Sequence, residues 1–249
     1  MDLHGASPRA SPVPPTAAAD VSCGIRGPSL TRVAANFFLA TLTNYGTNFS
    51  QLGNFPSTAT ASSVYVDSLG NVYAGTIGAG AFFYNAATGT WCNWGFNGIS
   101  SPVVVSAITW TSAGGGAGTF YLASTDGLFS SSSGAVCNAA WSGNLVFGNY
   151  GVSAVAIDPS CPQVVYAGYG AFYNFGQHRG GIDASSNNGA TWTSLTSGLP
   201  IHQTGVSALQ VERIQSPQGQ ASRYLYASSY GRGGWMFDLG PNPPCPPVF

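Results

Sequence analysis

Charge is what this chain has least of. Lysine is absent, glutamate occurs once (Glu212), and charged residues are 6% of the 249-residue sequence, against about 25% in ordinary soluble domains. Seven arginines set against eight acids leave a net charge of −1, so the basic patch that a nucleic acid or an anionic membrane requires is excluded. Long hydrophobic runs are missing too. A spanning helix needs about 18 apolar residues or more, and the longest candidate, Val33 to Leu42, is shorter and interrupted by Asn36. The five cysteines (Cys23, Cys92, Cys137, Cys161, Cys245) form no C-x-x-C pair and have no histidine at ligand spacing, which argues against zinc or another metal. No cofactor is expected either, because the glycine-rich stretches "GAGAFF" and "SAGGGAG" open no helix and match no phosphate or dinucleotide fingerprint. Met1 to Ala19 lacks the apolar segment of a signal peptide.

Serine, threonine, asparagine and glutamine supply the polarity instead, a balance that suits an extracellular or cell-surface protein. The chain also repeats itself. "NVYAGTIGAGAFFY", "TFYLASTDGLFSS", "QVVYAGYGAFYN" and "RYLYASSYGRGGWMF" share a β-branched and aromatic run, an alanine, a glycine-bearing loop and a second apolar run. The anchoring alanines are Ala74, Ala123, Ala167 and Ala227, with a weaker copy at Ala40. A second phrase precedes them: "SSVYVDSLG", "VSAVAIDPS" and "VSALQVERI", with "VVVSAITWT" as a looser relative. Alternating small and apolar residues suit an inner strand packed on both faces. Each unit therefore reads as four antiparallel strands in about 40–50 residues, the period of a propeller blade. The expected fold is an all-β propeller of about five blades, alone or as part of a larger ring. Its domains are a Pro/Ala-rich arm over 1–29, the propeller over 30–240 and a Pro-rich tail over 241–249.

The segment "VSAVAIDPSCPQVVYAGYG…GGIDASSNNGATWTSLTSGLP" resembles the Asp-box, or bacterial neuraminidase, repeat of sialidases, xyloglucanases and sortilin-like proteins. Ser185, Asn187, Gly189, Thr191 and Trp192 fill the S-x-D-x-G-x-T-W pattern, with Asn at the Asp position. The resemblance implies that these residues are structural, the polar side chains bonding the turn backbone and the tryptophan packing between blades. It also implies that ligands bind on the opposite face. Assigning loops to that face gathers Trp94, Phe96, Tyr150, Tyr169, Tyr173, His178, Arg179, His202, Tyr230 and Arg232. Aromatic rings with a few arginines suit a glycan surface, and packing between blades is the plainer use of the same rings. Paired carboxylates for glycoside hydrolysis could come only from Asp126 and Asp183. Cys137 and Cys161 are expected on the Asp-box face of neighbouring blades and to form a disulfide. Cys23 and Cys245 could staple the termini.

The expected function is that of a non-catalytic binding or structural module outside the cytoplasm, with a glycan or protein partner. Two alternatives stand beside it: a glycoside hydrolase or a fragment of one, and a subunit of an extracellular assembly or oligomer.

Overall fold

Short runs of alternating small and apolar residues, each stopped by a glycine or Asx turn, fold here as antiparallel meanders. The computed structural model describes residues 38–40, 49–96, 102–112, 118–143, 145, 150–170, 180–197, 200, 204–215 and 221–241. The 1–29 arm lies outside them, as does the 241–249 tail beyond its first residue. A first pair, β1 (Phe38–Ala40) and β2 (Phe49–Gln51), precedes four larger sheets. Sheet one is β3 (Thr60–Val66), β4 (Val72–Ile77), β5 (Ala81–Asn85) and β6 (Thr90–Asn93). Sheet two is β7 (Val105–Thr111), β8 (Thr119–Ser124) and β9 (Gly127–Ser131). Sheet three is β10 (Val152–Asp158), β11 (Cys161–Tyr169), β12 (Ile182–Ser185) and β13 (Thr193–Ser194), and sheet four is β14 (Val206–Gln215), β15 (Ala221–Ser229) and β16 (Gly234–Pro241). Strand order within every sheet follows chain order. The leading strands β3, β7, β10 and β14 neighbour one another in sequence, which makes the sheets the blades of a propeller-type arc.

One device recurs in all four blades. Each leading strand carries a bulge after its first residues, at Ser62, Ser106, Ser153 and Ser207. In the first and third blades the extra serine turns its hydroxyl to the next blade, whereas Ser207 Oγ shares a 2.7 Å bond with Ser228 Oγ of its own sheet. Ser62 Oγ donates to Val105 O of the next blade at 2.6 Å, and Ser153 Oγ donates to Val206 O. The small residue opposite the bulge follows from this close approach. A Cβ on Gly168 would stand 2.7 Å from Val206 Cγ1, and one on Gly75 would collide with Val105.

Register places Tyr73, Tyr121, Tyr166 and Tyr226 at one equivalent position, opposite the third residue after each bulge. The first three are buried against the following blade. The core is accordingly three inter-blade layers. Tyr73 and Phe83 meet Phe120 and Leu122; Tyr121 and Leu128 meet Val165 and Ala167; Tyr166 and Ile182 meet Leu225 and Ala227. Each side chain buried this way contributes about 1.5–3 kcal/mol.

Candidate functional site

The turn between β12 and β13 satisfies its own backbone. Asn187 Oδ1 accepts from Ser185 Oγ at 2.9 Å and from Thr191 N at 2.9 Å, while its Nδ2 donates to Thr191 Oγ1 at 2.8 Å. Ser185 Oγ accepts from Gly189 N at 2.9 Å, and Trp192 Nε1 donates to Gly189 O at 3.0 Å. Asn188 and Gly189 both hold positive φ, 58° and 84°, which Asn tolerates and glycine adopts freely. Tyr121 OH of the preceding blade donates to Asn188 O at 3.0 Å. The motif thus clamps two blades together.

Acidic residues serve the same end. Asp67 caps the β3–β4 turn, accepting from Leu69 N, Asn71 N and Tyr73 OH. Asp158 caps the β10–β11 turn through Ser160 N and pairs with Arg223 Nη1 at 2.7 Å, fully buried. Of the two candidate catalytic acids, Asp126 sits half-buried in the β8–β9 turn. Asp183, only 3% exposed, accepts a 2.6 Å bond from Tyr169 OH. Neither lines the large cleft described below.

The structure redistributes the expected ligand surface. Trp94, at 0% exposure, and Phe96 are core residues against Phe120, Phe129 and Trp141. Tyr169 is also fully buried. These three offer no face to a ligand: the chain after β6 turns Trp94 and Phe96 inward between blades, and Tyr169 ends β11 inside the layer between the second and third blades. Tyr150 is half-buried with its ring edge on Tyr169. Tyr230 is 45% exposed, and Arg232 is exposed in the β15–β16 turn. Tyr173, His178, Arg179 and His202 lie outside the described residues.

The cysteine pairing also needs correction. Cys137 bonds Cys92, not Cys161. The segment after β9 folds back across the first blade, with Asn138 N on Asn93 O at 2.9 Å and Trp141 Nε1 on Trp94 O at 3.1 Å. That carries Cys137 to β6. Cys161 packs elsewhere, between the third and fourth blades beside Arg223, and Cys23 and Cys245 lie outside the described residues.

A cleft of about 1100 Å³ opens along the leading strands of all four blades and the near ends of β15 and β16. Trp110, 37% exposed, stands in its wall with Thr109, Gln210, Tyr226 and Met236. Register puts Trp110 where the other blades carry Val66, Ile157 and Val211. An indole at a position that is aliphatic in the other three blades is the signal the sequence offers for this cleft. Among the described residues lining the cleft, the one charged side chain is the buried Asp158.

No protein-family model and no curated protein sequence matches this chain. Solved structures do. The extracellular domain of BT4673 from B. thetaiotaomicron superposes with a TM-score of 0.55 at 12% identity, over 82% of this chain and 24% of that one. An ancestral GH74 enzyme gives 0.55 at 17% identity, over 84% and 30%. YCF48 from Cyanidioschyzon merolae gives 0.55 at 15% identity, over 83% and 64%. The chain therefore spans between about a quarter and two thirds of the proteins it superposes on. At these identities the likeness is one of fold: an all-β chain of propeller type.

Proposed function

We propose that this chain is a non-catalytic, carbohydrate-binding propeller module that works outside the cytoplasm. The cleft carries the reading. Its volume of about 1100 Å³ lies just above the roughly 300–1,000 Å³ usual for a ligand site, room for several sugar rings, and its walls join an exposed indole to hydroxyls and an amide. That is the chemistry that stacks on C–H faces and bonds to sugar hydroxyls without charge.

The acids support a binding role over hydrolysis, since the carboxylate at the cleft is tied up in an ion pair with Arg223 and a hydrolase needs two free ones about 5–10 Å apart. A disulfide between Cys92 and Cys137 fits an oxidising compartment, and one structural relative is itself an extracellular domain.

The test is a glycan array followed by calorimetric titration of the best ligand. Wild type binds and releases no new reducing ends, and Trp110→Ala weakens binding roughly tenfold or more, the cost of a lost aromatic platform. Turnover abolished by Asp126→Asn or Asp183→Asn would replace this reading with the hydrolase one.

A further inference from the structure

In the first and third blades a fourth strand, β6 or β13, covers the outer edge of the third. β9 has no such strand among the described residues. The chain after it loops away and returns instead, so that Ser142 N bonds Ser130 O at 2.8 Å and Leu145 N bonds Leu128 O at 2.7 Å. A second hollow of about 400 Å³ is left where this returning segment, β8, β9 and the β12–β13 turn meet, and it shares no residue with the cleft. That volume is at the low end of the roughly 300–1,000 Å³ usual for ligand sites. Its walls are anchored. The Cys92–Cys137 disulfide and the 2.9 Å bond from Asn138 N to Asn93 O tie the returning segment to the first blade, and Tyr121 OH holds the turn through Asn188 O at 3.0 Å.

The hollow is polar without charge. Five serines, Ser130–Ser133 and Ser142, line it, and among the described residues no charged side chain does. Some of its polar groups are not used by the fold. Ser131 is 3% exposed and accepts from Ser133 N at 3.3 Å, and its own O–H finds no acceptor among the described residues. The Ser132 hydroxyl and the Asn188 side-chain amide, both exposed, make no hydrogen bond among the described residues either. Asn188 stands at φ 58°, a conformation that glycine adopts freely, so the turn does not require this amide. Trp141 is the aromatic wall, half-buried, with its Nε1 fixed on Trp94 O at 3.1 Å.

We infer that this hollow is a second sugar site, taking one neutral hexopyranose unit. The Asn188 amide and the Ser131 and Ser132 hydroxyls bond the sugar hydroxyls, and a C–H face of the ring lies against the Trp141 indole. A uronic or sialic acid is disfavoured, because its carboxylate would lose water with no cation on these walls to pair with. The inference stands apart from the cleft reading, since the two sites have no residue in common.

Amide spectra of the assigned, nitrogen-15-labelled protein, titrated with the methyl glycosides of glucose, galactose and mannose to about 20 mM, test it. At least one should shift the amides of Ser130–Ser133, Ser142 and Asn188 and saturate with a Kd on the order of 1–10 mM. Methyl glucuronide should bind more weakly than methyl glucoside. Asn188→Gly should weaken binding roughly fivefold or more and Ser132→Ala roughly twofold to threefold, the rest of the spectrum reporting an intact fold. No shift at these amides with any of the three sugars overturns the inference. So do shifts at Trp110 alone, which would leave the cleft as a site without the hollow, a preference for the glucuronide, or binding indifferent to both substitutions.

Discussion

Arg223 on β15 and Asp158 at the end of β10 face each other across the gap between the third and fourth blades, Nη1 to Oδ2 at 2.7 Å with both side chains buried. Arg223 also donates from Nη2 to Leu239 O at 3.2 Å, so one guanidinium joins β10, β15 and β16. Removing one partner of a buried pair strands the other's charge and costs about 3–5 kcal/mol. Arg223→Met should therefore lose most of that amount in urea unfolding. Asp158→Asn combined with Arg223→Met should recover a large part of it, because no unpaired charge remains and the Ser160 N–H keeps its acceptor.

The β12–β13 turn separates the roles of Asn187. Asn187→Ala removes the acceptor for Thr191 N and the donor to Thr191 Oγ1, an expected loss of about 1–3 kcal/mol. Asn187→Asp keeps the acceptor and should cost less than half as much. Gly189→Ala places a side chain at φ 84° and brings a Cβ within 3.2 Å of Leu145 Cδ1, so it should cost at least about 1 kcal/mol. Thermal melts of the three variants check the order.

Alkali should unfold this protein through its inter-blade tyrosines. Burial pushes Tyr121 and Tyr166 up to about 12, with Asp158 adding to the rise at Tyr166 and Arg223 opposing it. Burial and then Asp67 raise Tyr73 further. Unfolded tyrosine ionises near 10, so above that pH the unfolded chain binds fewer protons than the folded one. Stability is then complete below pH 10 and falls as pH rises through about 12. Urea midpoints measured on either side of pH 10 should fall only on the alkaline side, and absorbance at the tyrosinate band should rise together with unfolding.

Reducing the Cys92–Cys137 bridge frees a loop with a sequence separation of 45. The chain-entropy model puts the loss between about 3 and 5 kcal/mol. Non-reducing peptide mapping should recover a Cys92–Cys137 fragment and no Cys137–Cys161 fragment.

The blades were legible in the sequence because strand alternation, the V-S-A bulge and the Y-A phrase are local and recur. What failed was the direction of side chains at blade ends. Trp94 and Phe96 follow β6 and look like loop aromatics, but whether the chain turns outward or into the gap depends on Trp141, more than forty residues later. Cys137 was assigned by its own blade, whereas the fold-back that carries it to Cys92 is a long-range event with no periodic signal. The cleft went unread for a related reason. Leading strands are expected to be small and apolar, and no signal local to its own strand marks the Trp110 indole as facing a cleft.

The central claim is that the sheets stand side by side, each leading strand against the next, with their cores between them. Aromatic NOE spectroscopy on the assigned protein tests it most directly. Tyr73 should show strong cross-peaks to Phe120, whose ring centroid lies 4.6 Å away, Tyr121 to Trp192, and Tyr166 to Leu225, one set for each blade interface. Cross-peaks confined to partners within each tyrosine's own sheet, or joining the first sheet to the fourth in place of the second, would contradict it.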